Sequence, residues 1–403
     1  MDNVQLLKTR EELVAAARSL RPLLAKNAEQ AEKDRRLPDE TFKALIDAGV
    51  LRTFVPRRFG GHEAGHRTYT EVCLELGRSG CAGSAWYGFI LNMDDWLIGM
   101  MHPEVQETVW RDGPDSVVCC PLTPGPGFRI SKEEGGVRIS GEWGYVSGCL
   151  HADWAALGHP VTDDGGNIVS QAIALIPMSE AKIKDTWFVT GMAGTGSQTL
   201  VVEDVFVPDT FTFDWADPLN ARFPHVPEDG YMYRADTAAI FLTCVLPPVV
   251  GMAQAALELT VERLTAKPKP LTYTFYGDAT KSPSVQSSVA RAAAMIDAAV
   301  LQVRTAADEI DERSRTGHQF ATRAERHRNS MRSAYAVRQC QEAVSLLLDA
   351  QGASAFALSN PVQRIWRDLN TASRHGLNLA GLKEEIYGRS LLGAEEQQMT
   401  ALA

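Results

Sequence analysis

The sequence predicts an α+β protein built in three parts: a helical N-terminal domain over residues 1–115, a middle domain of antiparallel strands over 116–215, and a C-terminal helical bundle over 216–403. Three observations predict it. From Leu6 to about Met101 apolar residues recur three and four positions apart, the spacing of a helix face. Between Ser116 and about Phe213 the chain breaks into short runs rich in β-branched and aromatic residues, parted by Gly, Pro and Asp. After a linker holding Pro218, Pro224 and Pro227, helical periodicity returns in four long segments.

In the first part, LVAAARSLRPLLAKNAEQAEKD and PDETFKALIDAGV carry the helical spacing; Pro38 or Asp39 opens the second and Gly49 closes it. In the second, VVCC, GGVRISGEWGYVSG, WAALGHPV, SQAIALIPM, IKDTWFV and TLVVEDVFV read as strands with no helix between them. That texture predicts an antiparallel barrel or sandwich, and the barrel is the expectation carried forward. In the third, FLTCVLPPVVGMAQAALELTVERL, SVQSSVARAAAMIDAAVLQVRTAADEI, ERHRNSMRSAYAVRQCQEAVSLLLDAQGAS and NPVQRIWRDLNTASRHGL make a four-helix bundle.

The bulk properties narrow the function classes. An apolar content of 45% with 22% charged residues is that of an ordinary globular protein. A formal charge of −10 with no basic cluster disfavours nucleic acid and anionic membrane as partners. No apolar run reaches the roughly 18 to 20 residues of a membrane span, and the charged start MDNVQLLKTREELVAAARSL lacks a secretory apolar core, so a cytoplasmic location is expected. Seven cysteines without a C-x-x-C pair indicate buried thiols, neither a zinc site nor a disulfide framework.

Several motifs fail on inspection. GMAGTGSQTLVVEDVFVP, Gly191 to Pro208, approaches a dinucleotide fingerprint, but Thr199 stands where the third glycine belongs and a strand follows where a helix is needed. His62-Glu63-Ala64-Gly65-His66 spells H-E-x-x-H, yet it follows Phe59-Gly60-Gly61 and contains Gly65, so the helix that would stack both imidazoles on one metal is not expected. A G-x-S-x-G nucleophile elbow is absent. The richer stretch is GEWGYVSGCLHADW, Gly141 to Trp154, which gathers aromatics, a hydroxyl and glycines at a strand end. Its structural reading is a hairpin with core aromatics; its functional reading has Trp143 against a planar cofactor and the Ser147 hydroxyl at the cofactor's edge.

VLRTFVPRRFGG, GEWGYVSGCLHADW, GMAGTGSQTLVVEDVFVP, SPSVQSSVARAAAMI and LLLDAQGASAFALSNPVQRIWRDLN, in this order and spacing, resemble the acyl-CoA dehydrogenase superfamily across almost the whole chain. The resemblance implies a helical domain, a middle β-domain and a four-helix bundle, a homotetramer, and flavin between the last two domains, with Gly194 and Gly196 as turn glycines near it. A dehydrogenase of this family needs a base to strip an α-proton beside a thioester. Where many members carry I-Y-E-G, this chain has Ile386-Tyr387-Gly388-Arg389, and from Thr237 to Leu257 it has no acidic residue.

The ending SRHGLNLAGLKEEIYGRSLLG and W-x-Y-x-S-G at Trp143 to Gly148 are instead similar to the two-component flavin-dependent monooxygenases of the same fold. That resemblance implies an oxygenase component that receives reduced FAD, with FMN as the alternative, from a separate NAD(P)H flavin reductase. It reacts the flavin with O2 to a 4a-hydroperoxide and oxygenates a small aromatic or heteroaromatic substrate. It implies that Ser147 bonds near flavin N5 and donates to the peroxide, that His375, as a cationic or donating imidazole, favours oxygen attack, and that Tyr145 joins Trp143 in the apolar wall; Thr371 and Arg374 are further cofactor contacts. In CAGSAWYGFILNMDDWLIGMM, Trp86, Phe89, Met93 and Trp96 are expected to line the substrate wall, with Phe241 closing it. Met93 stands about where phenol-hydroxylating relatives have a histidine, which favours a neutral bicycle such as indole. The alternatives are an acyl-CoA dehydrogenase-type flavoprotein and a non-catalytic protein that retains the fold.

Overall fold

The structure, a computed structural model, describes residues 8–163, 165–316 and 320–394. Leu6, where the helical pattern begins, lies outside the described residues. Helix α1 (Arg10–Asp34) is opened by Thr9, whose hydroxyl accepts the Glu12 amide at 3.2 Å while the Glu12 carboxylate accepts the Thr9 amide at 2.6 Å. Helix α2 (Asp39–Ala48) follows between Pro38 and Gly49, and α3 (His66–Gly77), α4 (Ala82–Met100) and α5 (Pro103–Val109) complete the first part. Helix α4 is buried almost along its whole length. Its Asn92 accepts the Thr53 amide at 2.8 Å and donates to the Val50 carbonyl at 3.1 Å, which fixes the loop ahead of α3 on its flank.

The H-E-x-x-H residues straddle a boundary. Glu63 has a left-handed φ of 45°, Gly65 precedes the first residue of α3, and only His66 is helical. His62 Nε2 lies 3.0 Å from the Gly49 carbonyl, whereas the His66 ring stacks with Phe54 and Tyr69. Burial pushes the two imidazoles down to about 4 and about 3 respectively, so both are neutral core residues.

The middle part contains β1 (Val118–Cys119), β2 (Arg129–Glu133), β3 (Gly136–Val146), β4 (Trp154–Thr162), β5 (Ile168–Pro177), β6 (Ala181–Lys184), β7 (Gln198–Pro208) and β8 (Thr212–Asp214). They form two four-stranded sheets, β1-β4-β5-β8 and β2-β3-β7-β6. This corrects the expected barrel: among the described residues no strand bridges the two sheets to close a ring, and β1 pairs with β4 in parallel. Ile139 and Trp143 of one sheet and Leu157, Ala174 and Ile176 of the other fill the layer between them. Alternation marks each strand's inner face but carries no signal for closure. IKDTWFV is a strand only to Lys184, and the exposed strand β2, which hairpins onto β3, escaped the apolar pattern because all five of its residues are exposed.

The C-terminal part runs α6 (Ala216–Leu219), α7 (Thr237–Thr243), α8 (Leu246–Thr265), α9 (Pro283–Arg315), α10 (Arg323–Gln351), α11 (Pro361–Ala372) and α12 (Ala380–Leu392). Helix α8 packs on α9, α10 and α11 and, across the domain boundary, on α3 and α4. One core therefore extends from Trp86 and Trp96 through Val249 to Leu347. The segment expected as one helix from Phe241 splits at Cys244–Val245, where Pro247 and Pro248 fit the first turn of α8 but not a helix interior. Contrary to the expectation of no span-length apolar run, Thr237–Thr265 is long and apolar enough to cross a membrane; 83% of its apolar window is buried in the bundle.

Because His66 binds a proton in the unfolded chain near pH 6.5 but in the fold only near 3, the unfolded state is the better proton acceptor between those values, and stability falls as pH drops through that window. His66→Phe, which keeps the ring between Phe54 and Tyr69, is expected to weaken acid destabilisation by about 2 kcal/mol at pH 5 relative to pH 7. Urea unfolding at both pH values checks it; an equal loss in the two proteins is the contrary result.

Candidate active site

Between α4, the end of β3, the turn before β7 and the end of α11 lies a cavity of about 550 Å³. One face of α4 supplies its longest wall. Trp86, Phe89, Ile90, Met93, Asp94, Trp96 and Leu97 recur three and four apart, so the helix period turns them to the same side. Phe241 of α7 and Trp215 close the far side, their rings edge to face at 4.9 Å, with Trp96 at 6.5 Å from Phe241. The expected wall residues Trp86, Phe89, Met93, Trp96 and Phe241 thus all lie around one space.

Ser147 is held at one end of this wall. Strand β3 has a register shift between Trp143 and Val146, and Tyr145 within it takes a left-handed φ of 60°. The irregularity leaves Tyr145 81% exposed at the rim, its ring edge-on to Trp187 at 5.6 Å, and carries Ser147 to the cavity wall. Trp86 Nε1 lies 3.1 Å from Ser147 Oγ, Ser147 Oγ 2.7 Å from Ser197 Oγ, and Ser197 Oγ 2.7 Å from Thr195 Oγ1, which donates to the Met192 carbonyl at 2.8 Å. An indole N–H only donates and a carbonyl only accepts, so the three hydroxyl protons have one order. Thr195 gives its proton to Met192, Ser197 to Thr195, and Ser147 to Ser197. Ser147 therefore offers the cavity an acceptor lone pair, which differs from the donor role the sequence suggested.

His375 follows the end of α11, its ring edge-on to Trp86 at 5.5 Å and to Phe89 at 6.3 Å. Its Nδ1 accepts the Leu377 amide at 3.3 Å, which puts the ring proton on Nε2. Burial, with the Lys383 charge adding to it, pushes the imidazole down to about 4. Of the two forms expected, the neutral donor is the one present at neutral pH. Thr371 and Arg374 also line the cavity; Thr371 Oγ1 donates to the Arg367 carbonyl at 3.0 Å, and Arg374 Nη1 to the Asn370 carbonyl at 2.6 Å.

Three residues expected at the cofactor do not themselves line the cavity. Trp143 is fully buried between the sheets, donating to the Gly158 carbonyl at 2.8 Å and edge-on to Phe128 at 5.7 Å; its position ahead of the register shift puts it on the inner face of β3. Gly194 and Gly196 flank the cavity turn but face α1. A Cβ on Gly194 would lie 3.1 Å from the Ala31 methyl, and Gly196 has a left-handed φ of 57° beside Leu150 and the Arg35 carbonyl. The residues between and after them, Thr195 and Ser197, are the ones that reach the cavity. Sequence reasoning also missed Trp187, Met192, Trp215, Cys120 and Asp94. Only Asp94 had a signal, a charged pair within an otherwise uncharged apolar helix.

Comparisons with known proteins agree with the fold. The family models for the acyl-CoA dehydrogenase N-terminal and C-terminal domains match residues 8–102 and 243–378. The chain is 32% identical to the flavin-dependent monooxygenase oxygenase subunit HsaA of Rhodococcus jostii (strain RHA1), over 93% of this chain and 97% of that protein. It is 30% identical to the FADH(2)-dependent resorcinol hydroxylase oxygenase component of Rhizobium sp. (strain MTP-10005), covering 95% and 94%. Among solved structures, XiaF from Streptomyces sp. in complex with FADH2 and glycerol superposes with a TM-score of 0.86 at 30% identity, covering 95% and 96%. The chain belongs to the acyl-CoA dehydrogenase superfamily, in its branch of flavin-dependent monooxygenase oxygenase components.

Trp143→Phe would leave the buried Gly158 carbonyl without its donor. Chemical denaturation is expected to show a loss of about 1–2 kcal/mol, with affinity for reduced flavin unchanged. A large loss of flavin affinity at unchanged stability would instead put Trp143 back at the cofactor.

Proposed function

We propose that this chain takes reduced FAD, or FMN, from a separate NAD(P)H flavin reductase and, with O2, inserts one oxygen atom into a small aromatic or heteroaromatic substrate, the other atom leaving as water. The observation that carries the proposal is the pairing, at one end of an apolar cavity, of the acceptor at Ser147 Oγ with the neutral His375 donor. The donor set suits a reduced isoalloxazine, which presents both an N–H and acceptor atoms at its edge, and XiaF, similar over nearly the whole chain, was solved with FADH2. When bound, reduced flavin would supply the two electrons that activate O2, one atom going to the substrate and the other to water.

The chain's residues have distinct parts in this. Ser147 accepts the ring N–H, and its own proton, directed to Ser197, is kept out of the reaction space. His375 Nε2–H points a fixed donor to where negative charge develops as oxygen is reduced. Being neutral, it adds no titration between pH 6 and 8. Trp86, Phe89 and Met93 keep water from the reacting atoms, which limits wasteful loss of peroxide. The wall suits a flat bicycle, with indole as the starting example.

Asp94, the one carboxyl among the described residues of the cavity wall, does not favour acyl-CoA dehydrogenation. Burial raises it well above the ordinary carboxylate range, which favours the protonated form over the charged base that an α-proton beside a thioester requires. All seven cysteines are free thiols, which suits the cytoplasm, and exposed Leu301, Tyr335, Leu391 and Leu392 on α9, α10 and α12 suit contacts between copies in a homotetramer.

Anaerobic mixing with reduced FAD followed by oxygen tests the proposal. A long-lived absorbance of the oxygen adduct is expected. Ser147→Ala should raise hydrogen peroxide release about 10-fold and His375→Ala slow adduct formation by about 10-fold or more. Wild-type rates in both variants would remove these two residues from the chemistry; bleaching of oxidised flavin by an acyl-CoA without air would replace the reaction itself.

A further inference from the structure

Asp94 has no part in the cofactor end of the cavity. It sits two helical turns beyond Trp86 on the same wall of α4, about 12 Å further along the axis. Its neighbour Asp95, about 100° further round the helix, faces a different space beside Asp115 and Val117. Asp94 is only 4% exposed, and its Oδ2 has no hydrogen-bond partner. Buried polar atoms are nearly always paired, and one that is unpaired on a cavity wall has a partner to gain from a ligand.

We propose that Asp94 anchors the substrate: its carboxyl, free at Oδ2, donates a hydrogen bond to a hydroxyl or carbonyl oxygen carried by the aromatic ring. The inference rests on the oxygenase reading for the word substrate, though not for the binding event. Around the carboxyl the wall is otherwise apolar or sulfurous, formed by Met93, Leu97, Cys120 and Cys244, so a polar atom of the ligand finds no better partner there. Burial outweighs the pull of the neighbouring Cys120 amide toward the charged form, so the carboxyl keeps a proton to share with a ligand.

Burial supports the protonated form. It raises Asp94 well above the ordinary carboxylate range. The titratable groups around it are Asp95 on the same helix, Cys119 and Cys120 from β1 and the residue after it, and Cys244 after α7. Burial raises all four, which favours their uncharged forms. Lys383 lies beyond Cys244, and its charge acts on Cys244 and His375. A neutral acid in this position selects an acceptor. Plain indole, whose N–H can only donate, satisfies it less well than a bicycle bearing oxygen.

The test compares two probes of the same shape, 2-naphthol and 2-methylnaphthalene, by calorimetry on the full chain under anaerobic conditions, with and without reduced FAD. Wild type is expected to bind 2-naphthol about 10-fold more tightly, the size of one hydrogen bond to a buried donor. Asp94→Leu should bring the ratio to about 1, and Asp94→Asn, which keeps the shape and a weaker donor, to about 3. A ratio near 1 in wild type, or an unchanged ratio in either folded variant, overturns the assignment. Asp94-dependent binding of 2-naphthol with no oxygenated product on adding O2 would leave the anchor standing and sink the oxygenase reading; oxygenation with an Asp94-independent ratio would do the reverse.

Discussion

The site depends on how one turn is held. The chain from Gly191 to Ser197 is gripped by parts of the molecule far apart in sequence. The buried Asp368 carboxyl of α11 accepts the Met192 amide at 2.6 Å, and Arg367 reaches the Thr190 carbonyl at 2.6 Å while pairing with Glu32 of α1. Gly194 lies against Ala31, where an added Cβ would stand 3.1 Å from the Ala31 methyl and press the turn and α1 apart by a few tenths of an ångström. The N-terminal helices and the C-terminal bundle thereby fix a loop of the β-domain, and with it the hydroxyls of Thr195 and Ser197.

From that turn the polar order of the cavity follows. The Met192 carbonyl that ends the hydroxyl chain belongs to the turn, and the Trp86 indole that starts it belongs to α4. A shift of the turn by about 1 Å would break a bond that needs its partners within about 3 Å, and Ser147 would regain a free proton. The direction of a single hydroxyl is thus a consequence of domain packing. The His375 ring is set in a related way, its tautomer by the Leu377 amide just past α11 and its neutrality by Trp86 and Phe89 around it. Each polar group is oriented before any ligand arrives, so little reorganisation is left for the reaction.

Much of this was legible in the residues. The wall of α4 could be read because a helix period depends on spacing alone, and Trp86, Phe89, Met93 and Trp96 share one side wherever the helix packs. Trp143 could not be placed, because the alternation that assigns faces along β3 is interrupted next to it by the register shift at Tyr145. Gly194 and Gly196 marked a tight place, but glycines record that something comes close without saying what; at Gly194 it is Ala31 of α1. The β-domain was visible as strands, while its division into two sheets was not, since pairing partners lie tens of residues apart.

What the sequence determined by itself is therefore the part governed by local period and composition: three blocks of structure, an apolar aromatic helix, and the nearness of Ser147 to a strand end. Tertiary structure decided which way protons point, which charges survive burial, and that Asp94 faces the cavity while Asp95 does not. Those properties depend on neighbours brought from other elements. Desolvation and hydrogen-bond direction are set by everything within a few ångströms in space, and the chain reaches those neighbours only by folding.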